Sequence, residues 1–479
     1  MPERQGWFLP ASALVGAVTL ARLAALWFDR TDLFVDESQY WLWGQRLDFG
    51  YFSKPPLIAW VIRGVTELAG SDAAFWVRLP GAILHGVTAL ILAALAAYLF
   101  DRRAAIWVAI SYATLPMAAL GSLLMSTDTV MAPLFAAALC FHFRLAHTGQ
   151  ARFAGLAGAA IGLAFLAKYA AIYFFVGAAV AAIWLPGMRI SWRNAALMGV
   201  VFLLCIAPNI WWNLSNNLIT LHHTGDNIDW ADDLSDLLDL EYDEGATFFL
   251  SQFAVFGPVL FAALLWGYWR PSTPDMRALT LFSMPVLAIV CLEALLSRAY
   301  ANWAVAAYFS GTLVAVPLLV RHAPALLRLS LVINAAIAIL LPLLTIIAPA
   351  PAWNGKPLLA RYLGRADLSR QIIAAAQATG AKGVVAAERG ILADLFHTGA
   401  GSGLRFYAPR PRGRPQNYYE QNFALPESAD DLLAVLPAAP VCQGTIQPTV
   451  AGFSTDGGAY QGHGYSAYLL SRECLNVLW

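Results

Sequence analysis

Asp36 and Glu37 stand side by side in the stretch Asp36-Glu37-Ser38-Gln39-Tyr40-Trp41-Leu42-Trp43, and Lys54 follows just ahead of Pro55-Pro56. Adjacent carboxylates beside a row of aromatics suit work on a sugar. An acid can take a proton from a hydroxyl, and the rings of Tyr40, Trp41 and Trp43 can stack on a pyranose or line a lipid headgroup. Tyr40 and Gly44, four and eight residues beyond Asp36, predict a short helix with Asp36 in its first turn, where the helix dipole favours a carboxylate. The plain alternative is a solvated pair of loop acids. Lys54, held in direction by two prolines, suits a phosphate; its alternative is a lysine snorkelling at an interface.

Further candidates are spread along the chain. Asp128, in Ser126-Thr127-Asp128-Thr129, reads as a helix N-cap or as a second site acid. Lys168 interrupts the apolar run Leu163–Phe175. An ionisable group at membrane depth or its edge is a functional candidate by default, and the anion it calls for is a lipid phosphate. His222 and His223 precede an acid-rich loop with Asp226, Asp229, Asp232, Asp233, Asp236, Asp239, Glu241, Asp243 and Glu244. They could hold a divalent cation, although no zinc spacing is present. The acid loop itself reads first as a solvated helix or lid. Arg298, Tyr300 and Trp303 add one more cation and two aromatics.

These residues must be positioned by membrane helices. Of 479 residues 59% are hydrophobic and only 13% charged, against about 25% charged in a soluble domain. Continuous apolar runs predict about eleven transmembrane helices, near 8–28, 76–100, 104–121, 129–146, 153–167, 170–186, 194–213, 247–269, 279–297, 303–320 and 329–348. The first run is too long for a signal segment and has no small-residue cleavage site after it. Pro56–Gly70 is shorter and carries Arg63 and Glu67, so it reads as an interfacial or re-entrant helix. Every second loop is basic: Arg4, then Arg102 and Arg103, Arg144 and Arg152, Arg189 and Arg193, Arg270 and Arg277, Arg321 and Arg328. Those loops are cytoplasmic by the positive-inside rule. Asp36, Lys54, Asp128, Lys168, the histidine pair and the tail then share the opposite side.

The predicted organisation is an all-α membrane domain over 1–349, with extracytoplasmic loops at 29–75 and 214–246, and a small α/β domain over 350–479. In the tail, Lys382–Ala387 reads as a strand, Ile391–Phe396 as the helix after it, and Leu404–Tyr407 and Ser466–Ser471 as further strands. Cys140, Cys205 and Cys291 lie in apolar runs and read as small hydrophobes. Cys442 and Cys474 lie in the tail, where an oxidising compartment permits a disulfide. Zero net charge points to neither nucleic acid nor a polybasic membrane tether.

Taken in order, Asp36-Glu37-x-x-Tyr40-Trp41, Gly50-Tyr51-Phe52-Ser53-Lys54-Pro55-Pro56-Leu57, Arg78-Leu79-Pro80-Gly81, Thr127-Asp128, Ala167-Lys168-Tyr169, Pro208-Asn209-Ile210-Trp211-Trp212-Asn213 and Asn302-Trp303 form a set. That set resembles the polyprenyl-phosphate-dependent glycosyltransferases of the GT-C class, in the bacterial branch of lipid A aminoarabinose transferases, rhizobial galacturonosyltransferases and protein mannosyltransferase-like enzymes. The resemblance spans roughly residues 1–350. It implies a multi-pass enzyme of the bacterial inner membrane that moves a sugar from a polyprenyl-phosphate donor to a periplasmic acceptor, lipid A or lipopolysaccharide core. It places Asp36 as the catalytic carboxylate, and Glu37 and Asp128 are the further catalytic candidates, Glu37 either taking part or shaping the loop that presents Asp36. Lys54, Lys168 and Arg298 would hold the donor phosphate, and Tyr40, Trp43, Tyr169, Tyr300 and Trp303 would line the sugar and acceptor. His222 or His223 matches a metal-binding histidine of the aminoarabinose enzymes. Ser53, however, stands where those enzymes carry a metal-binding acid, which weighs against metal and against aminoarabinose. A sugar phosphodiester carries its own leaving group, so single displacement with inversion is the expected course. Protein O-glycosylation by the same class, and lipid-linked sugar transport, are the alternatives; transport would favour polar groups at mid-membrane and internal repeats.

Overall fold

The computed structural model describes residues 6–228, 240–271, 273–429, 431–455 and 457–479. Among them, seven helices are long and apolar enough to cross a membrane, or eight if one bent pair counts as a single span. They are Phe8–Trp27, Ala74–Leu99, Thr127–Thr148, Trp192–Ser215, Pro274–Leu296, Ala301–His322 and Pro324–Ile347. Two shorter apolar helices, Ala151–Ala167 and Tyr169–Trp184, fill two further expected positions. The protein is a multi-pass membrane protein.

Two expected spans are not single rods. The run over 104–121 is two helices, Arg102–Thr114 and Pro116–Leu120. Pro116 cannot donate its amide and forces Leu115 into an extended conformation (ψ 139°). The run over 247–269 is Tyr242–Val255 and Pro258–Trp269, bent by 111°. The bend falls at Gly257, whose φ of +85° is a conformation few residues other than glycine adopt, followed by Pro258 in the first helical turn. Neither break shows in a count of apolar residues.

Helix burial sorts centre from rim. In Ala301–His322, 89% of the apolar window is buried by protein, against 17% in Pro324–Ile347 and 22% in Trp192–Ser215. The last two turn apolar side chains such as Leu204 and Val332 outward, as a hydrocarbon-facing helix must. Two polar groups in the centre find partners inside. Tyr308 Oη donates to Gln252 Oε1 at 2.6 Å, and Ser283 Oγ donates to the Ala307 carbonyl at 2.7 Å.

The chain separates into two compact units. One holds Met1–Trp27, Ser53–Val61 and Arg78–Pro342; the other holds Phe28–Phe52, Ile62–Val77 and Leu343–Trp479. The second unit contains a five-stranded sheet with β1 Gly383–Ala386, β2 Arg405–Tyr407, β3 Leu432–Leu436, β4 Ala451–Phe453 and β5 Tyr465–Leu470, in the order β2-β1-β3-β5-β4. β1 runs parallel to β2 and β3, while β5 runs antiparallel to β3 and β4. Strands β1, β2 and β5 stand where the sequence places them. The helix Arg365–Thr379 and the strands β3 and β4 are additional to the expected elements. β1 is buried at every position, as a parallel strand covered on both faces requires. Cys442 and Cys474 form a disulfide with Cα atoms 5.4 Å apart, inside the apolar cluster of Val385, Leu432, Tyr468 and Leu470.

Candidate functional site

The acid pair lies in the second unit, on the helix Val35–Gln45. Phe34 is the N-cap, so Asp36 and Glu37 fall in the first turn, as the spacing predicts. The two acids then take different work. Glu37 is 1% exposed, and its Oε2 accepts the Phe34 amide at 2.9 Å, satisfying a donor that the helix start leaves open. Asp36 points outward, with 46% of its side chain exposed, and its Oδ1 accepts Arg389 Nη2 at 2.6 Å. Arg389 Nε also donates to Gln39 Oε1 at 3.0 Å, so Arg389 grips two residues one helical turn apart. A half-exposed pair of this kind adds at most about 1 kcal/mol. Its effect is to orient the Asp36 carboxylate while leaving it open to a substrate.

Glu37→Ala should lower stability by about 1 kcal/mol, the usual loss for a removed cap, while Glu37→Gln keeps an acceptor and should melt within a degree or two of the parent. Thermal unfolding of both variants checks this; equal losses would mean that the charge, and not the acceptor, matters.

The expected sugar platform is corrected here. Tyr40 is 6% exposed and Trp43 is 0% exposed. Trp43 stacks on Tyr51 with centroids 4.7 Å apart and an interplanar angle of 1°, and meets Tyr418 edge-on. Tyr51 Oη donates to the Trp43 carbonyl at 3.0 Å. Both rings are core side chains, and a sugar cannot reach Trp43 in this conformation. Trp41 is likewise buried, with its Nε1 donating to Asp72 Oδ1 at 2.8 Å.

The second cluster lies in the membrane unit. Asp128 occupies the first turn of Thr127–Thr148, but it does not cap the helix: Ser126 does, its Oγ accepting the Thr129 amide. Asp128 instead takes both of its oxygens to Lys168 Nζ, at 2.7 and 2.8 Å, and its Oδ2 also accepts Asn302 Nδ2 at 2.9 Å. The side chains of Lys168 and Asp128 are 15% and 13% exposed. Lys168 ends the helix Ala151–Ala167 in an extended conformation (φ −155°), which frees its side chain to turn towards Asp128. The Asp128 turn is braced by Thr129, whose Oγ1 donates to the Gly121 carbonyl and lies 3.2 Å from His85 Nε2. Next to Lys168, Tyr169 Oη donates to Asn209 Oδ1 at 3.1 Å and accepts Asn213 Nδ2 at 3.3 Å. The Pro208–Asn213 motif thus fixes Tyr169.

The remaining candidates are placed as follows. Lys54 is half-buried just ahead of the helix Leu57–Ala69. Arg298 is exposed and donates to Tyr300 Oη, with its guanidinium 4.8 Å from the centre of that ring. Tyr300 packs edge-on against Trp303. His222 and His223 lie on the helix Ile219–Ile228, with His222 exposed. The side chains of the acid run Asp226–Asp239 lie outside the described residues. Among the described residues, no three His, Cys, Asp or Glu side chains are grouped to hold a metal ion. Asn302 and Arg389 are the residues that sequence reasoning left out of the site. Asn302 had a signal, since Asn302-Trp303 opens one of the expected spans. Arg389 had none.

Comparison with known proteins decides the family. The chain is 40% identical over 468 residues to the lipid A galacturonosyltransferase RgtD of Rhizobium johnstonii, covering 96% of this chain and 98% of that one. The chain belongs to the GT-C class of membrane glycosyltransferases. Residues 53–212 of this glycosyltransferase match the family described as dolichyl-phosphate-mannose-protein mannosyltransferase. Its fold is that of ArnT from Cupriavidus metallidurans. The crystal structure of ArnT bound to undecaprenyl phosphate matches with a TM-score of 0.64 at 16% identity, over 96% of this chain and 98% of that chain. The apo structure matches with a TM-score of 0.60, also at 16% identity, over 88% and 92%.

Proposed function

We propose that this glycosyltransferase moves a hexuronosyl group from a polyprenyl-phosphate donor to a hydroxyl of lipid A, on the periplasmic face of the bacterial inner membrane. The observation that carries the reading is the near full-length likeness to a lipid A galacturonosyltransferase. The protein mannosyltransferase family matches only residues 53–212, so the full-length relative has the greater weight on the acceptor. The side of action is supported by the alternating basic loops and by the Cys442–Cys474 disulfide in the second unit, which fits an oxidising compartment.

The chemistry follows from the residues. The acceptor oxygen forms a bond to the anomeric carbon as the bond from that carbon to the donor phosphate breaks. The acceptor hydroxyl gives its proton to Asp36, whose carboxylate is exposed and held by Arg389. The leaving phosphate gains negative charge, and Lys54 and Lys168 answer it. An ammonium has three donors; Lys168 gives two to Asp128 and keeps one. Asp128 and Asn302 act as positioning residues that hold the ammonium in place. A divalent cation at His222 and His223 is a further proposal, one that the chemistry above does not require. The test is the mass of lipid A from cells with and without this chain. A gain of one hexuronosyl group supports the proposal; unchanged lipid A, with a new sugar on protein, would transfer the reading to O-glycosylation.

A further inference from the structure

A cavity of about 360 Å³ opens within the second unit, lined by Asp36, Arg361, Arg365, Glu388, Arg389 and Tyr460 among others. It lies beyond the end of β1, at the start of the helix Arg389–Thr398. The volume is at the small end of ligand clefts. It admits a monosaccharide and not a lipid chain.

The charges in this cavity do not balance. Arg389 is answered by Asp36. Glu388 Oε2 accepts the Tyr465 hydroxyl. Arg365 is 7% exposed, yet among the described residues neither it nor Arg361 is in an ion pair. Arg365 donates from Nε to the Arg361 carbonyl at 3.1 Å and from Nη1 to Tyr460 Oη at 3.3 Å. Both guanidinium groups lie over the ring of Phe34, at 4.5 Å for Arg361 and 5.5 Å for Arg365. A ring face offsets a small part of the desolvation of a cation. Glu388 and the buried Asp394 lie near Tyr460 as well, but neither is in an ion pair with Arg365, so among the described residues the guanidinium lacks a carboxylate in direct contact. The lining holds three arginines and two carboxylates, an excess of one positive charge. A singly charged, planar carboxylate matches that excess and the guanidinium fork. Glu388 and the Tyr460 hydroxyl offer partners for sugar hydroxyls away from that fork. Gly390 keeps the polar floor open: a Cβ there would lie 3.3 Å from Tyr460 Oη, 3.4 Å from Arg365 Nη1 and 3.5 Å from Glu388 Oε1.

We propose that this cavity binds the hexuronosyl ring of the donor, with Arg361 and Arg365 as the clamp on its carboxylate, so that the second unit selects an acidic sugar over its neutral counterpart. The assignment rests on the hexuronosyl reading above. Its test is ligand-observed NMR on the purified full chain, with methyl galacturonoside as probe and methyl galactoside as neutral control. The galacturonoside should bind at least tenfold more tightly. Arg365→Gln and Gly390→Ala should each cost it about tenfold or more and leave the galactoside unchanged. Gly390→Ala removes no polar group, so it keeps the test decisive if Arg365→Gln fails to fold. Equal binding of the two sugars, unchanged binding in Gly390→Ala, or tighter binding of glucosamine 1-phosphate than of the galacturonoside would overturn the assignment. The last result would give the clamp to an acceptor phosphate. Binding needs no turnover, so a failure here leaves lipid A transfer standing, and a failure of transfer leaves this binding result standing.

Discussion

Asp36→Asn should abolish sugar transfer, with kcat reduced by about 10² to 10⁴, the range lost when a general base is removed. The substitution is nearly isosteric. Its amide oxygen can still accept Arg389 Nη2, which reaches Asp36 Oδ1 at 2.6 Å, so the Arg389–Gln39 grip should persist. With 46% of the Asp36 side chain and 41% of that of Arg389 exposed, loss of the charge should alter stability by no more than about 1 kcal/mol. Donor binding should persist, because Asp36 is assigned to the acceptor proton and the clamp on the donor sugar to Arg361 and Arg365, which the substitution leaves in place. The expected signature is a folded, donor-binding, inactive protein. Steady-state kinetics with a titration of donor separates this from a misfolded variant. Activity within tenfold of the parent would remove Asp36 from the role of base.

Lys168 and Asp128 give the second large effect, and here stability and function separate. The pair is mostly buried, at 15% and 13% exposure, with both carboxylate oxygens on one ammonium. Removing one partner of such a pair strands the other, at a cost on the order of 3 kcal/mol. Lys168→Met should therefore melt well below the parent. The double variant Asp128→Asn with Lys168→Met removes both charges and should recover most of that loss. Donor affinity should not recover, since the ammonium that answers the phosphate is still missing. The apparent KM for the donor should rise about tenfold or more in both variants. Recovery of donor KM together with stability in the double variant would make Lys168 a structural residue only.

What the sequence disclosed follows from how far each interaction reaches along the chain. The membrane helices were legible because hydrocarbon demands long apolar runs, and their order follows the runs. Their breaks at Leu115-Pro116 and at Gly257 were not, since one residue pair decides a bend while twenty decide a span. The first turn around Asp36 and Glu37 was legible because its spacing is local. The different tasks of the two acids were not, because the partner of Asp36 lies more than three hundred residues away, in the helix Arg389–Thr398. Asp128 and Lys168 were each recognised, but as separate donors and acceptors. Their pairing joins the start of one helix to the end of the next, and no periodicity encodes it. Tyr40 and Trp43 were misread because an aromatic row beside acids looks the same whether it faces a ligand or a core. The helix Val35–Gln45 is buried from Glu37 through Gly44, so it lacks the polar stripe that would reveal an open face.

The central claim is that this chain moves a hexuronosyl group from a lipid phosphate to lipid A, with Asp36 taking the proton. Its most direct test is the mass of lipid A after incubation with the purified chain and a polyprenyl-phosphate galacturonate donor, run beside Asp36→Asn. The account predicts one added hexuronosyl group with the parent protein and none with the variant. Lipid A left unmodified by a parent protein that binds the donor, or modified equally by both proteins, would contradict it.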